Sequence, residues 1–103
     1  MKSKLNFFEF IPYSYDSILL YLSIRDGETK LGEKVCFDYN SSSCKYVILG
    51  ISEDIGPQAN FGLKGSDNAF KSFVSRFVNV QSNRFLSGTE ICLLGEITQT
   101  YSF

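Results

Sequence analysis

A polar segment from Glu53 to Gly62 carries the residues of this chain that are best suited to hold a ligand. Glu53 and Asp54 supply carboxylates, Asn60 can donate and accept hydrogen bonds, and Gly62 lets the backbone approach a bound group closely. The segment has no nucleophile paired with a base, and it matches neither a Rossmann phosphate loop nor a Gly-x-Ser-x-Gly nucleophile elbow. It therefore predicts a binding loop. The simpler interpretation, of solvated carboxylates and turn-forming glycines, stays open.

Two apolar strands and a helix must position this loop. The runs KYVILGI (residues 45–51) and EICLLGEI (residues 90–97) are almost continuously apolar, which is typical of central strands covered on both faces. Between them, an apolar stripe of helical period predicts a helix from Asp67, with Phe73 and Phe77 facing the sheet. This order predicts a parallel strand pair, with the loop at the carboxyl end of the first strand. Ligands usually bind at that end of open α/β sheets.

The first 44 residues predict a leader helix and a short strand. Pro12 precedes the helix, Ser14 can cap it, and Gly27 can end it. Weak alternation from Lys34 to Tyr39 predicts the short strand. The chain of 103 residues is then a single, incomplete α/β domain, in which residues 45–97 form a βαβ unit and residues 98–103 a tail.

Charge and hydropathy exclude two classes of partner. The formal net charge is −1 with both signs scattered, so no basic face is expected for nucleic acid or for an anionic membrane surface. The longest apolar run is far too short to span a bilayer, and the N-terminus lacks the features of a secretory signal. The sequence therefore predicts a cytoplasmic protein without nucleic-acid or membrane partners.

The three cysteines of the chain predict structural thiols. Cys36, Cys44 and Cys92 are odd in number and contain no Cys-x-x-Cys pair. This pattern argues against a disulfide framework and against a thiolate zinc site. Cys92 lies within a buried strand run, and Cys36 and Cys44 have no identifiable base nearby in the sequence.

The stretch from Val47 to Ile97 resembles the N-terminal segment of the arginase, agmatinase and formimidoylglutamase superfamily, and it is most similar to the formimidoylglutamases. The pattern is an apolar strand ending in Gly-Ile, then Glu-Asp-Ile-Gly, then Asn-x-Gly and a further glycine before a helix. The residues at the positions of that pattern are Gly50, Ile51, Glu53, Asp54, Ile55, Gly56, Asn60, Gly62 and Gly65. The resemblance extends over residues 25–97, and it departs at Ser52, where many members have proline, and at the entry to the helix.

The resemblance implies a three-layer αβα fold with a parallel sheet and an enzyme that hydrolyses linear amidines with two Mn²⁺ ions. A small-molecule amidine would be the substrate, and formimidoylglutamate would yield glutamate and formamide. Asn60, Glu53, Asp54 and Gly62 would then lie at the rim of the substrate crevice. Family members bind manganese through histidine and aspartate motifs that lie further along the chain.

No histidine and no Asp-x-Asp motif occur in these 103 residues. The resemblance therefore implies that they are the N-terminal segment of a longer hydrolase, and that this segment alone binds no Mn²⁺ and is inactive. Uncovered strand edges would favour self-association, so a homo-oligomer is expected. The alternative is a self-standing, non-catalytic α/β module that binds a partner through a sheet edge.

Overall fold

The computed structural model describes residues 5–40, 43–52 and 65–102 of the chain. The described residues form a small mixed α/β unit of three strands, two α-helices and a short 3₁₀ helix. In chain order the elements are β1 (Leu5–Pro12), α1 (Tyr15–Leu19), the 3₁₀ helix (Leu31–Glu33), β2 (Tyr46–Ser52), α2 (Gly65–Phe77) and β3 (Ile91–Ser102).

The three strands form one mixed sheet in the order β1-β3-β2. β2 and β3 are parallel, from the pair Tyr46 and Ile91 to the pair Ser52 and Thr98, which confirms the predicted βαβ unit. Their register shifts by one residue after Ile48, so the ladder contains a β-bulge. β1 runs antiparallel to β3. The sheet is therefore mixed, whereas a wholly parallel sheet was predicted.

β1 was not expected from the sequence. Leu5–Pro12 pairs along its full length with the last eight of the twelve residues of β3, and β3 continues through Ser102 into the stretch assigned to a tail. The first helix is also shorter than predicted, because α1 ends at Leu19. The predicted strand at Lys34–Tyr39 is reduced to an isolated parallel bridge between Cys36 and Cys92.

β3, rather than β2, is the central strand of the described sheet. Within the described residues β2 lies at an edge of the sheet, so the prediction that both apolar runs are central and doubly covered is not confirmed for β2. On β2, Ile48 packs against the core, and a Cβ on Gly50 would lie 2.5 Å from the ring of Phe70. Side chains alternate along a strand, so Val47 and Ile51 point to the opposite face, where they are 50% and 66% exposed.

α2 packs its apolar stripe across the sheet. Val74 and Val78, which follows the helix, are fully buried and form a core with residues of α1, β3 and the intervening segment. Phe73 is 43% exposed, so the prediction that it faces the sheet is wrong. Its position lies at the margin of the stripe, and its ring stacks on Phe77 with the centroids 5.3 Å apart. The core members are Ile18, Val35, Val74, Val78, Ile91 and Leu93.

Asn79, just beyond α2, ties the end of this helix to the segment after α1. Its side-chain amide donates to the carbonyl oxygens of Tyr21 at 2.7 Å and Ser75 at 2.8 Å. Its side-chain oxygen accepts from the backbone N–H of Ser23 at 2.8 Å. This one side chain thus satisfies backbone groups that the two helices leave unpaired near their ends. None of the helices in the described ranges has the length and apolar character needed to cross a bilayer.

Glu90 organises the turn that leads into β3. Its carboxylate accepts hydrogen bonds from the Ser87 hydroxyl at 2.7 Å and from the Gly88 N–H at 3.1 Å. These bonds favour the ionised form and lower the pKa of Glu90 from 4.5 to about 2. Because the folded state holds this carboxylate ionised, the stabilisation is complete above pH 4.5.

Acid should therefore remove the contribution of Glu90 as the pH falls from about 4.5 through about 2. We expect Glu90→Gln to lower the free energy of unfolding at pH 7, and the difference from the unmodified chain to shrink steadily towards pH 2. Urea unfolding at a series of pH values measures this difference. Asp26→Asn, at an exposed turn, is the matched control. A difference for Glu90→Gln that stays constant from pH 7 to pH 2 would contradict the assignment.

Candidate functional site

The predicted binding loop joins the carboxyl end of β2 to the start of α2. Ser52 is the last residue of β2 and Gly65 the first of α2, so the loop begins at the predicted end of the first apolar strand. Glu53, Asp54, Asn60 and Gly62 lie outside the described residues, and their predicted roles stay predictions.

Glu96 is a buried carboxylate close to this end of the sheet, and the sequence analysis missed it. It lies in β3 opposite Gly50, two residues before the pair of Ser52 and Thr98 that ends the parallel ladder. Paired residues of neighbouring strands point to the same face, so Glu96 shares the face of Gly50 that α2 covers. A charged residue within the apolar run of β3 was the signal that could have marked it.

Tyr13 is the titratable neighbour of Glu96. Burial, followed by the negative charge of Glu96, raises the pKa of the Tyr13 phenol from 10.0 to about 12. Its ring lies 6.0 Å from that of Phe70 on α2. A neutral phenol and a carboxylate therefore lie under the first half of α2, beside the end of the parallel ladder where the predicted loop starts. Such a pair can offer a hydrogen-bond donor and an acceptor to a polar group.

A second cluster of reactive groups lies near the opposite end of the parallel strands. The sulfur atoms of Cys36, Cys44 and Cys92 all lie within 4.8 Å of one another. Cys92 is the second residue of β3, Cys44 precedes β2, and Cys36 follows the 3₁₀ helix. We call these three residues the thiol cluster. All three cysteines are free thiols.

Backbone hydrogen bonds hold the three parts of the thiol cluster on one short stretch of chain. The Cys36 N–H donates to Ile91 O at 3.0 Å, and the Leu93 N–H donates to Cys36 O at 2.9 Å. Next to Cys44, the N–H groups of Lys45 and Tyr46 both donate to the carbonyl oxygen of Glu90, at 2.7 and 3.0 Å. Residues 90–93, which are Glu90 and the first three residues of β3, therefore contain Cys92 and hold the chain next to Cys36 and Cys44.

Cys92 points away from the core beneath α2. Its neighbours Ile91 and Leu93 belong to that core, and strand alternation places Cys92 on the other face, where it is nonetheless fully buried. Burial, followed by the neighbouring Cys36 thiol, raises the pKa of Cys92 to about 12. Cys36 and Cys44 are half-buried. The cluster thus has one enclosed thiol and two thiols that a solute can approach.

The partners of the thiol cluster are backbone carbonyl groups. Cys36 donates to Ile91 O at 3.4 Å and to Asp38 O at 3.6 Å, and Cys44 donates to Tyr46 O at 3.4 Å. Sulfur is a weak hydrogen-bond donor, so these contacts are weak. Sequence spacing did not indicate the cluster, because its members come from three separate segments. The two apolar strands alone could have indicated that residues at their amino ends would meet.

Comparison with known proteins identifies no relative of this chain. No protein-family model matches it, and neither does any curated protein or solved structure.

Proposed function

We propose that this chain forms the N-terminal part of a manganese-dependent amidinohydrolase of the formimidoylglutamase type, with a three-layer αβα fold. One observation carries the proposal: the parallel β2-α2-β3 unit has a strand that is apolar on both faces, and the described residues cover only one of them. A three-layer fold needs such a strand, because a further helical layer covers its second face.

The two faces of β2 differ in what covers them. Ile48 and Gly50 face α2, while Val47, Leu49 and Ile51 form an apolar row on the other face with exposed fractions of 50%, 40% and 66%. β2 is also an edge strand within the described residues. A row of branched apolar residues on an open edge favours aggregation unless further chain covers it. The row therefore supports a larger sheet, in which β2 is an inner strand.

The residues of this chain do not fit a pair of manganese ions. Mn²⁺ prefers carboxylate and imidazole ligands. The chain has no histidine, and the one group of potential ligands that converges within the described ranges is the thiol cluster. Under this proposal the manganese ligands come from polypeptide other than residues 1–103, and the enzyme is cytoplasmic and homo-oligomeric.

The contribution of this chain would be to bind and orient the amidine substrate. The loop with Glu53, Asp54, Asn60 and Gly62 begins at the carboxyl end of β2, where ligands bind in open α/β sheets. Asn60 would hydrogen-bond the amino-acid end of the substrate through its amide. Glu96 and Tyr13 lie beneath α2 at the same end and would support the floor of the crevice.

The decisive experiment compares the complete product of the reading frame with residues 1–103 alone. We expect the complete product to release formamide from formimidoylglutamate only when Mn²⁺ is present. Residues 1–103 should neither release formamide nor bind Mn²⁺ stoichiometrically in a calorimetric titration. Arginine and agmatine serve as alternative substrates. A complete product that hydrolyses none of the three compounds would refute the proposal, and so would a stoichiometric, micromolar Mn²⁺ site in residues 1–103.

The role of Asn60 can be tested in the same assay. Loss of a hydrogen bond to a charged substrate group should cost about 1.5–3 kcal/mol, so Asn60→Ala should lower kcat/KM by about tenfold or more. Gln58→Ala, in the same loop, is the matched control and should leave kcat/KM nearly unchanged. Equal effects of the two substitutions would argue against a specific contact by Asn60.

The open edge of β2 also favours a second candidate, a self-standing module that binds a partner protein by strand addition. An edge strand offers unpaired N–H and C=O groups to such a partner. A stop codon directly after Phe103, together with a soluble and stable product, would support this module and argue against the hydrolase.

A further inference from the structure

We propose that Cys36, Cys44 and Cys92 form a binding site for one soft metal ion of the Zn²⁺ and Cu⁺ class. The site goes beyond the proposed hydrolase and does not depend on it. It lies near the amino ends of β2 and β3, whereas the predicted crevice lies at their carboxyl ends.

The distances between the sulfur atoms suit coordination. A zinc–thiolate bond is about 2.3 Å long, so two thiolates on one tetrahedral zinc ion are about 3.8 Å apart. The three sulfur atoms here lie within 4.8 Å of one another. Small side-chain rotations of the two half-buried cysteines would bring all three sulfurs to bonding distance, while Cys92 stays fixed in β3.

The backbone around the thiol cluster is already organised. Cys36 is bonded through both its N–H and its C=O to the first residues of β3, and the residues after Cys44 are bonded to Glu90. Ion binding would therefore require little ordering of the chain, which favours affinity. One buried and two approachable thiols leave an entry path for the ion.

The donor set selects the class of ion. Thiolates prefer soft ions such as Cu⁺ and Zn²⁺ over Mg²⁺, Ca²⁺ or Mn²⁺. Three thiolates can complete a trigonal Cu⁺ site, whereas Zn²⁺ would add a fourth ligand such as water. Both ions would therefore bind to the same three thiolates, and metal titrations can determine which ion binds more tightly.

Binding exchanges protons for the metal ion. Each of the three thiols loses its proton to solvent as its sulfur bonds to the ion, and no electron is transferred. The weak S–H bonds to the carbonyl oxygens of Asp38, Ile91 and Tyr46 are given up at the same time. Affinity should therefore rise with pH, and the number of protons released reports how many thiols bind.

Cobalt provides the first test because Co²⁺ substitutes for Zn²⁺ and its thiolate complexes absorb light strongly. The full chain is reduced, freed of metal and titrated anaerobically with Co²⁺. We expect thiolate-to-cobalt absorption that saturates at one ion per chain and disappears when Zn²⁺ is added. A parallel titration with Cu⁺, against a chelator of known affinity, ranks the two ions.

Two variants make the result specific to the thiol cluster. Cys44→Ser changes a half-buried residue outside the strands, and it should weaken Co²⁺ binding at least tenfold while circular dichroism stays unchanged. Ser75→Ala, on α2, is the control and should bind as the unmodified chain does. Cys36→Ser provides a second variant in case the first perturbs folding.

Three outcomes would overturn the metal site. The first is a reduced chain that binds neither Co²⁺ nor Cu⁺ stoichiometrically, and the second is a folded Cys44→Ser variant with unchanged affinity. The third is a release of fewer than three protons per bound ion, measured by calorimetry in buffers of different ionisation enthalpy. Because none of these measurements involves amidine hydrolysis, failure of this site would leave the proposed hydrolase untouched.

Discussion

Leu93→Ala should lower the free energy of unfolding by about 2–5 kcal/mol, the range for truncating a fully buried leucine. Leu93 is fully buried in the central strand and packs in the core with Val74 and Val78. Substitution removes apolar contacts and leaves a cavity between β3 and α2 that the close-packed neighbours cannot fill. Urea unfolding followed by circular dichroism measures the loss.

Leu20→Ala is the matched control for this prediction. Leu20 is 85% exposed just after α1, so its truncation should change the free energy of unfolding by less than about 0.5 kcal/mol. Similar losses for the two leucines would contradict the position of β3 at the centre of the sheet.

Gly95→Ala should destabilise the chain by about 2 kcal/mol or more and should loosen β1 in particular. Gly95 has a φ of +149°, a conformation that L side chains rarely adopt. An added Cβ would also collide with the carbonyl oxygen of Ile11 and approach Pro12. Since Gly95 pairs with Pro12, the collision falls within the β1–β3 ladder. Hydrogen exchange should show reduced protection of the β1 amides.

Gly27→Ala is the control that distinguishes the cost of the backbone conformation from the cost of the steric collision. Gly27 has a φ of +80°, but a Cβ there would meet no atom within 4 Å. Its substitution should therefore cost only about 1 kcal/mol and should leave the protection of β1 unchanged. If Gly95→Ala were no more harmful than Gly27→Ala, the close contact between β3 and β1 would be in doubt.

The βαβ unit could be predicted because its residues carry strong local patterns. The runs around Val47 and Leu93 are too short for helices and too apolar for one-sided strands, and the stripe through Val74 has the helical period. The chain segment between the strands is long enough for a crossover, which made parallel pairing the natural expectation. These features depend on neighbouring residues, and the structure confirms the order of strand, helix and parallel strand.

β1 could not be predicted, because its pairing depends on distant chain. The sequence LNFFEFIP has apolar residues without a clear period, and Pro12 suggested the approach to a helix. Its partner residues lie at the other end of the described chain, in β3. The same limit applies to the thiol cluster, where backbone bonds between separate segments bring Cys36 and Cys44 to Cys92. Sequence spacing within one segment contains no signal of such contacts.

The position of Phe73 shows a different limit. A helical stripe identifies the apolar side of α2 but not the rotation of the helix about its axis. In the structure, the rotation of α2 about its axis leaves Val74 fully buried and Phe73 partly exposed at the margin of the apolar stripe. The rotation of a helix about its axis depends on how its side chains pack against the opposing sheet.

The β1–β3 ladder sets an order of events during synthesis of the chain. Pro12 pairs with Gly95, and Leu5 pairs with Ser102. The partner of every β1 residue is therefore synthesised at least 83 residues later. At about 5–20 residues per second, β1 stays unpaired for about 4 to 17 seconds after it is made. β2 and α2 are synthesised within that time, and β3 must be present before either neighbouring strand can pair with it. Phe8 and Phe10, which are exposed in the folded chain, belong to this strand. Pairing of β1 with β3 closes a long loop, and contacts between residues so far apart in the sequence are typical of slow-folding chains.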